Sequence, residues 1–139
     1  MKQIVQKVIA GSAVIYNGKC LIVQRAPDDD ILPNLWELPS GKKEPLEPVK
    51  DAAKRECKEE TRLDIEVGKP IAVFNFGWEK EDEIRDATQI VFLAVLKGKP
   101  DVKISNEHQN FAWITKDEIG NYNLSNETKE VIKEALSNI

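Results

Sequence analysis

A chain of 139 residues with 41% hydrophobic and 32% charged side chains is the size of one globular domain able to bury a core, and it reads as a single domain over 1–139. Its net charge of −4 supplies no basic field for a phosphodiester backbone, which disfavours duplex nucleic acid as a partner. No stretch approaches the roughly 18 apolar residues of a membrane span, and no secretory leader is legible at the start. Cys20 and Cys57 fall in apolar or helical patterns and read as reduced thiols, so the expectation is a cytoplasmic protein with no membrane partner. A homodimer is compatible with this composition.

Residues 4–16 and 19–25 are rich in Val and Ile and are separated by Asn17-Gly18, a strong short hairpin signal, so they are expected to pair antiparallel. The stretch 26–34, "APDDDILPN", carries two prolines and three consecutive aspartates and reads as a solvated loop. "LWELPSG" follows as a short extended segment ending at Gly41. From Pro48 to Leu63 the period becomes helical, with Pro48 at the first helical position, where its missing N–H costs nothing. Residues 65–78 and 87–97 return to strand composition, and the charged run "EKEDEIRD" between them reads as a hairpin loop. Near the end, Thr115 and Glu118 form a capping-box pair for a short helix, and Ser125 caps a final helix over about 125–137. Several strands with a helix in the middle and another at the end predict an α/β (α+β) sandwich around a mixed sheet.

The central helix raises the sharpest question. At about 100° per residue, Val49, Ala52, Ala53, Glu56, Glu59, Glu60 and Leu63 share one stripe, while Lys50, Asp51, Lys54, Arg55, Lys58 and Arg62 fall opposite. The stripe that should face the protein is apolar for two turns and anionic afterwards. Carboxylates three or four residues apart lie roughly 5 to 6 Å from one another, and at an effective dielectric of about 20 each such pair costs on the order of 3 kcal/mol. Protonation or a hard divalent cation relieves that cost; three converging carboxylates favour the cation.

Read from Gly41, the order is five residues, Glu47, seven residues, Arg55-Glu56-Cys57, one residue, Glu59-Glu60, one residue, Arg62-Leu63. This resembles the Nudix box, G-x5-E-x7-R-E-U-x-E-E-x-G-U with U apolar. Its six matching fixed residues align by accident on the order of once in 10^4 to 10^5 such chains. "LIVQRA", "LWELPSGK" and "NEHQNFAWITKDEI" are similar to family flanks, so the resemblance covers most of the chain. It departs at Arg62, where the family has glycine, and at Ser40, where "PSG" replaces the commoner "PGG". The expected outcome at Arg62 is a slightly altered helix end with the side chain in solvent.

The resemblance implies the Nudix fold, a catalytic helix over about 48–61, and magnesium-dependent cleavage of a nucleoside diphosphate linked to another group, with manganese as a substitute ion. It implies metal ligation by Glu56, Glu59, Glu60 and the backbone carbonyl of Ser40, with Arg55 bracing Glu59 and Glu47 structural. The general base is Glu107 or one of the box glutamates. Arg25 is a candidate for holding substrate, and Trp36 or Phe74 for stacking on a base, against core packing for either ring. His108, the only histidine, reads as a loop side chain. Residues 78–81 lack the proline or tyrosine that marks cleavage of ADP-ribose or dinucleoside polyphosphates in some subfamilies. The expected substrate is therefore a small-molecule nucleotide, a (d)NTP or modified (d)NTP cleaved to the monophosphate and pyrophosphate. The alternatives are ADP-ribose or another nucleoside-diphosphate derivative, or a non-catalytic nucleotide sensor.

Overall fold

The computed structural model describes residues 1–138. Strand β1 (Gln3–Tyr16) and strand β2 (Lys19–Arg25) are joined by Asn17-Gly18, both at positive φ (51° and 73°), the two-residue turn whose twist matches the flanking strands. The remaining elements are β3 (Trp36–Glu37), β4 (Ser40–Lys42), helix α1 (Val49–Thr61), β5 (Asp64–Glu79), β6 (Glu83–Lys97), β7 (His108–Ile114), a 3-10 turn (Lys116–Asn121) and helix α2 (Asn126–Ser137). The strands form a curled mixed sheet in the order β3-β2-β1-β6-β5, with β4 added to β1 and β7 to β2.

The β1–β2 hairpin stays paired only next to its turn, at Ile15↔Cys20 and Tyr16↔Lys19. Beyond that the strands part, and the free edge of each is taken by a short strand: β4 pairs with β1 at Ile9↔Lys42, Ala10↔Gly41 and Gly11↔Ser40, and β3 pairs with β2 at Val23↔Glu37 and Gln24↔Trp36. Residues 35–42 thread this seam, and their backbone is satisfied from both sides, by Arg25 N–H to Leu35 O (2.9 Å) and Ser12 N–H to Pro39 O (3.0 Å).

Each face of the sheet carries one helix. On one face Ala52, Ala53 and Cys57 of α1 meet Ala10, Val14, Phe92 and Ala94. On the other, Val131, Ile132 and Ala135 of α2 pack on Ala13, Ile15, Ile22, Val91 and Ile114. The alternation of the strands decides which residues go to which helix: on β1, Ala10 and Val14 look to α1, and Ala13 and Ile15 to α2. The capping box at Thr115 and Glu118 and the Ser125 cap form as expected.

Three expectations are corrected. Pro48 stands one residue before the helix, with extended backbone (φ −60°, ψ 139°), and offers its carbonyl to Ala52 N–H at 3.0 Å. The charged run 79–86 is mostly strand, because β6 starts at Glu83 and pairs in parallel with the start of β1; only residues 80–82 turn. Side-chain ion pairs Lys2–Glu79 (2.9 Å) and Arg85–Glu83 (2.7 Å) give those charges partners within the paired strands. Finally, the helix end is not altered at Arg62: the residue adopts the left-handed conformation (φ 66°, ψ 11°) that glycine would take, with its N–H bonded to Lys58 O and its side chain exposed.

Candidate active site

The seam places β4 beside the last turns of α1. Gly41 faces the helix so closely that a Cβ there would fall on the Glu56 carboxylate, so the glycine is required for close approach rather than for a turn. One residue earlier, Ser40 N–H donates to Glu60 Oε1 at 3.2 Å. Arg55 locks the arrangement from outside. Its Nε and Nη2 hold Glu47 in a two-pronged pair (2.8 and 3.0 Å), Nη1 reaches Glu56 (3.0 Å) and Glu59 (3.2 Å), and Nη2 also donates to Lys42 O (3.0 Å). One guanidinium thus ties the helix to the preceding loop and to β4, a task suited to its planar fork. The Arg55 pairing, assisted by Glu44 N–H, lowers the Glu47 carboxyl to about 2.

The inner carboxylates are less well compensated: Glu56 shares Arg55 Nη1, and Glu60 has no cationic partner among the described residues. Glu60 is 3% exposed. Burial first, then the neighbouring charges of Glu37, Glu56 and Glu107, push its carboxyl up to about 10, against which the single Ser40 N–H is too little. Glu56 is also raised, by burial and by Glu59 and Glu107, with Arg55 pulling the other way. A cleft of about 270 Å³ opens beside Glu60, lined by Ser40, Glu37, Glu107, Asp28, Arg25 and His108 among others. Within it Arg25 is held by Asp29 (2.8 Å) and Glu37 (3.1 Å), and Glu37 also meets His108 Nε2 (2.9 Å).

These positions refine the expected site. Ser40, Glu60 and Glu107 line one cleft and Glu56 lies beside Glu60 on the helix, but Glu59 does not turn inward: its side chain is 58% exposed, at the outer rim. Arg55 lies beside the glutamates, not opposite them, because its long side chain swings along the helix to Glu47. His108 is not a loop side chain. It opens β7, is 6% exposed, and its Nδ1 finds no hydrogen-bond partner among the described residues. Arg25 lines the cleft with both terminal nitrogens already engaged by carboxylates. Trp36 stacks edge-on against Tyr122 (4.9 Å), and both Trp36 and Phe74 pack on the α2-side core. Sequence reasoning missed Glu37. The available signal was a lone charge between Trp36 and Leu38 in a strand-like apolar stretch, where a carboxylate has no structural reason to sit.

The donor set suits a hard divalent ion: oxygen ligands, a partly buried setting, and negative charge in excess of its partners. Among the described residues, no three His, Cys, Asp or Glu side chains are gathered tightly enough to chelate one ion by themselves.

Comparison with known proteins agrees with the geometry. The family model for the NUDIX domain matches residues 6–135. The chain is 30% identical over 137 residues to the nucleoside triphosphatase NudI of Enterobacter sp. (strain 638), a match covering 89% of this chain and 92% of that protein. Its structure is similar to the MutT NUDIX hydrolase of Burkholderia pseudomallei (TM-score 0.74, 28% identity, 94% of this chain and 98% of that one). It is also similar to the MutT protein of Methanosarcina mazei Go1 (TM-score 0.75, 25% identity, 99% and 96%). A box of acids cradled by Gly41, on a fold shared along nearly the whole chain, makes this protein a member of the Nudix hydrolase family, acting on phosphoric anhydride bonds.

Proposed function

We propose that the protein is a magnesium-dependent pyrophosphohydrolase that converts a nucleoside triphosphate, a (d)NTP or a modified one, to the monophosphate and pyrophosphate. The observation that carries this reading is the place of Glu60: a carboxyl 3% exposed, answered only by the Ser40 N–H and raised by burial and by Glu37, Glu56 and Glu107. Such a group is a liability in a structural protein and an asset where a cation must be bound against water's competition. Glu56, Glu60 and the Ser40 carbonyl would hold the ion, with Glu59 able to join them by turning from Arg55, and the ion would screen the anionic linkage and orient it for attack by water.

The remaining work belongs to the chain's own groups. Glu60 carries a proton in the metal-free protein and must release it for its oxygens to serve as ligands. Glu107 lines the cleft, exposed and within electrostatic reach of Glu56 and Glu60, which supports assigning it, ahead of a box glutamate, to take the proton of the attacking water. Arg55 keeps Glu56 and Glu59 oriented. Arg25, with its guanidinium committed to Asp29 and Glu37, fixes the loop wall rather than gripping a phosphate. The triphosphate substrate draws support from the name of the NudI relative, with 92% of its length aligned.

The test is a panel of nucleoside triphosphates, modified nucleotides, ADP-ribose and triphosphorylated RNA, assayed with magnesium and with product identification. Pyrophosphate release from (d)NTPs is expected; turnover of ADP-ribose alone would overturn the substrate assignment, and inertness with tight nucleotide binding would favour the sensor.

A further inference from the structure

One irregularity in the sheet bears on the site. Strand β7 runs beside β2 in regular register from Cys20↔Ile114 to Gln24↔Asn110, but the next pair is Arg25↔His108, so Gln109 is an extra residue on the β7 side. Such a bulge changes the face that a side chain takes. With unbroken alternation His108 would share the face of Asn110, Ala112 and Ile114, and the last two pack on the α2 side. The bulge instead sets it opposite Arg25, on the face of Leu21 and Trp113, which is the α1 side. Glu37 is brought to that face by its own pairing with Val23. There His108 Nε2 meets Glu37 Oε2 at 2.9 Å and Arg25 Nη1 meets Oε1 at 3.1 Å. The extra residue is itself pinned, because the Gln109 side-chain amide donates to Arg25 O (2.9 Å) and Asn34 Oδ1 (2.7 Å).

A carboxylate only accepts, so the proton of the His108–Glu37 contact is on Nε2. Nδ1 has no partner among the described residues, which leaves Glu37 as the one polar tie found for a side chain that is 2% exposed. What that tie fixes is the chain just before it. Glu107 N–H donates to Ser105 Oγ (3.4 Å), Ala26 N–H donates to Glu107 O (3.1 Å), and His108 N–H donates to Ser105 O (3.2 Å). The same segment is fastened to the end of α1, where Ser105 N–H donates to Glu60 O (3.1 Å) and Lys103 N–H to Thr61 O (2.9 Å). Glu60 therefore carries one acid into the cleft with its side chain and holds, with its carbonyl, the loop that brings Glu107 there.

We infer that His108 is a positioning residue for the hydrolysis: anchored on Glu37, it fixes the backbone from which Glu107 reaches the cleft. The inference rests on the proposed role of Glu107 and adds what keeps that carboxylate in register with the acids of α1. The bulge at Gln109 is the device that makes the anchor possible, since it turns the imidazole to the face where Glu37 stands.

The test sets His108→Leu, which fills the space without a donor, beside His108→Gln, whose amide can donate to Glu37 from nearly the same place. His108→Leu is expected to lower kcat about 10- to 100-fold with KM within about twofold, and His108→Gln to recover most of the loss. The loss is expected to vanish in a Glu107→Gln background, because a positioning residue acts through the group it positions. Hydrogen exchange reads the anchor without turnover: the amides of Ala26 and His108 are expected to exchange about tenfold faster in His108→Leu and at the wild-type rate in His108→Gln, while the β7 amides beyond the bulge keep theirs. If Glu107→Gln turns over at the wild-type rate, the base assignment falls and the exchange result alone decides the anchor. If His108→Leu folds poorly, Ser105→Ala, which removes only the hydroxyl that receives Glu107 N–H, replaces it with an expected kcat loss of about 3- to 10-fold. An equal rate loss with and without the Glu107 carboxylate, no recovery in His108→Gln, or unchanged exchange at both amides would overturn the inference.

Discussion

Glu59 and Glu60 are neighbours on one helix and live in opposite worlds. Glu59 sits at the rim, exposed and bonded to Arg55, while Glu60 is sealed at 3% exposure among Glu37, Glu56 and Glu107. The outer acids, Glu47 and Glu59, are matched by a guanidinium and hold geometry. Of the inner ones, Glu56 shares that guanidinium and Glu60 has only the Ser40 N–H, and the repulsion left among them is what a divalent ion would relieve. The difference teaches that the same residue type can fasten a helix or charge a site, according to whether its counter-ion is part of the chain.

The largest effect is expected on the inner side. Glu60→Gln should reduce kcat on the order of 10^3-fold, the loss of several kcal/mol of charge stabilisation, yet stabilise the metal-free protein at pH 8 by at least ~1.4 kcal/mol, one pKa unit's worth. The sign follows from the raised carboxyl: the folded state binds the proton more tightly, so wild-type stability declines as pH rises from the ordinary value of 4.5 toward about 10. Metal-free denaturant melts across that window should slope in the wild type and flatten in the variant; parallel curves would break the contrast between the two glutamates.

On the outer side, Arg55→Lys removes the fork that holds Glu47 and should lower kcat about 10- to 100-fold. It should also sensitise the fold to acid. The depressed Glu47 carboxyl contributes stability above pH 4.5 that is lost as pH falls toward about 2, and without the fork that contribution shrinks, so acid unfolding monitored by circular dichroism should start at higher pH. Glu107→Gln is expected to slow turnover at least tenfold, the low end for a general base; wild-type rates would return that role to a box glutamate. Smallest is Arg62→Gly, which relieves a left-handed residue and should raise stability by about 1 kcal/mol while turnover stays at the wild-type rate.

The hairpin at Asn17-Gly18, the caps at Thr115 and Ser125, and the inward placement of Glu56 and Glu60 were legible because each is a local matter of turn chemistry or helical angle. Glu37, His108 and the strand character of 83–86 were not, since each depends on a distant partner: Glu37 on the Arg25 and His108 side chains, and β6 on the start of β1. Arg62 was misjudged for a related reason. Helical angle says nothing about whether packing of Leu63 and Ile65, both nearly fully buried, will force the backbone through a left-handed step despite its cost.

Because β1 and β2 are fastened to each other only beside their turn, each half of the sheet carries its own short edge strand, and the loop from 26 to 35 hangs from one half while the glutamate helix is braced on the other. Length and composition of that loop are free to drift without loosening the grip of Gly41 on the acids. A fold arranged this way lends itself to grafting: exchanging residues 30–33 between relatives, beyond the Asp29 that holds Arg25, should retune which molecules are admitted and leave the hydrolytic machinery where it stands.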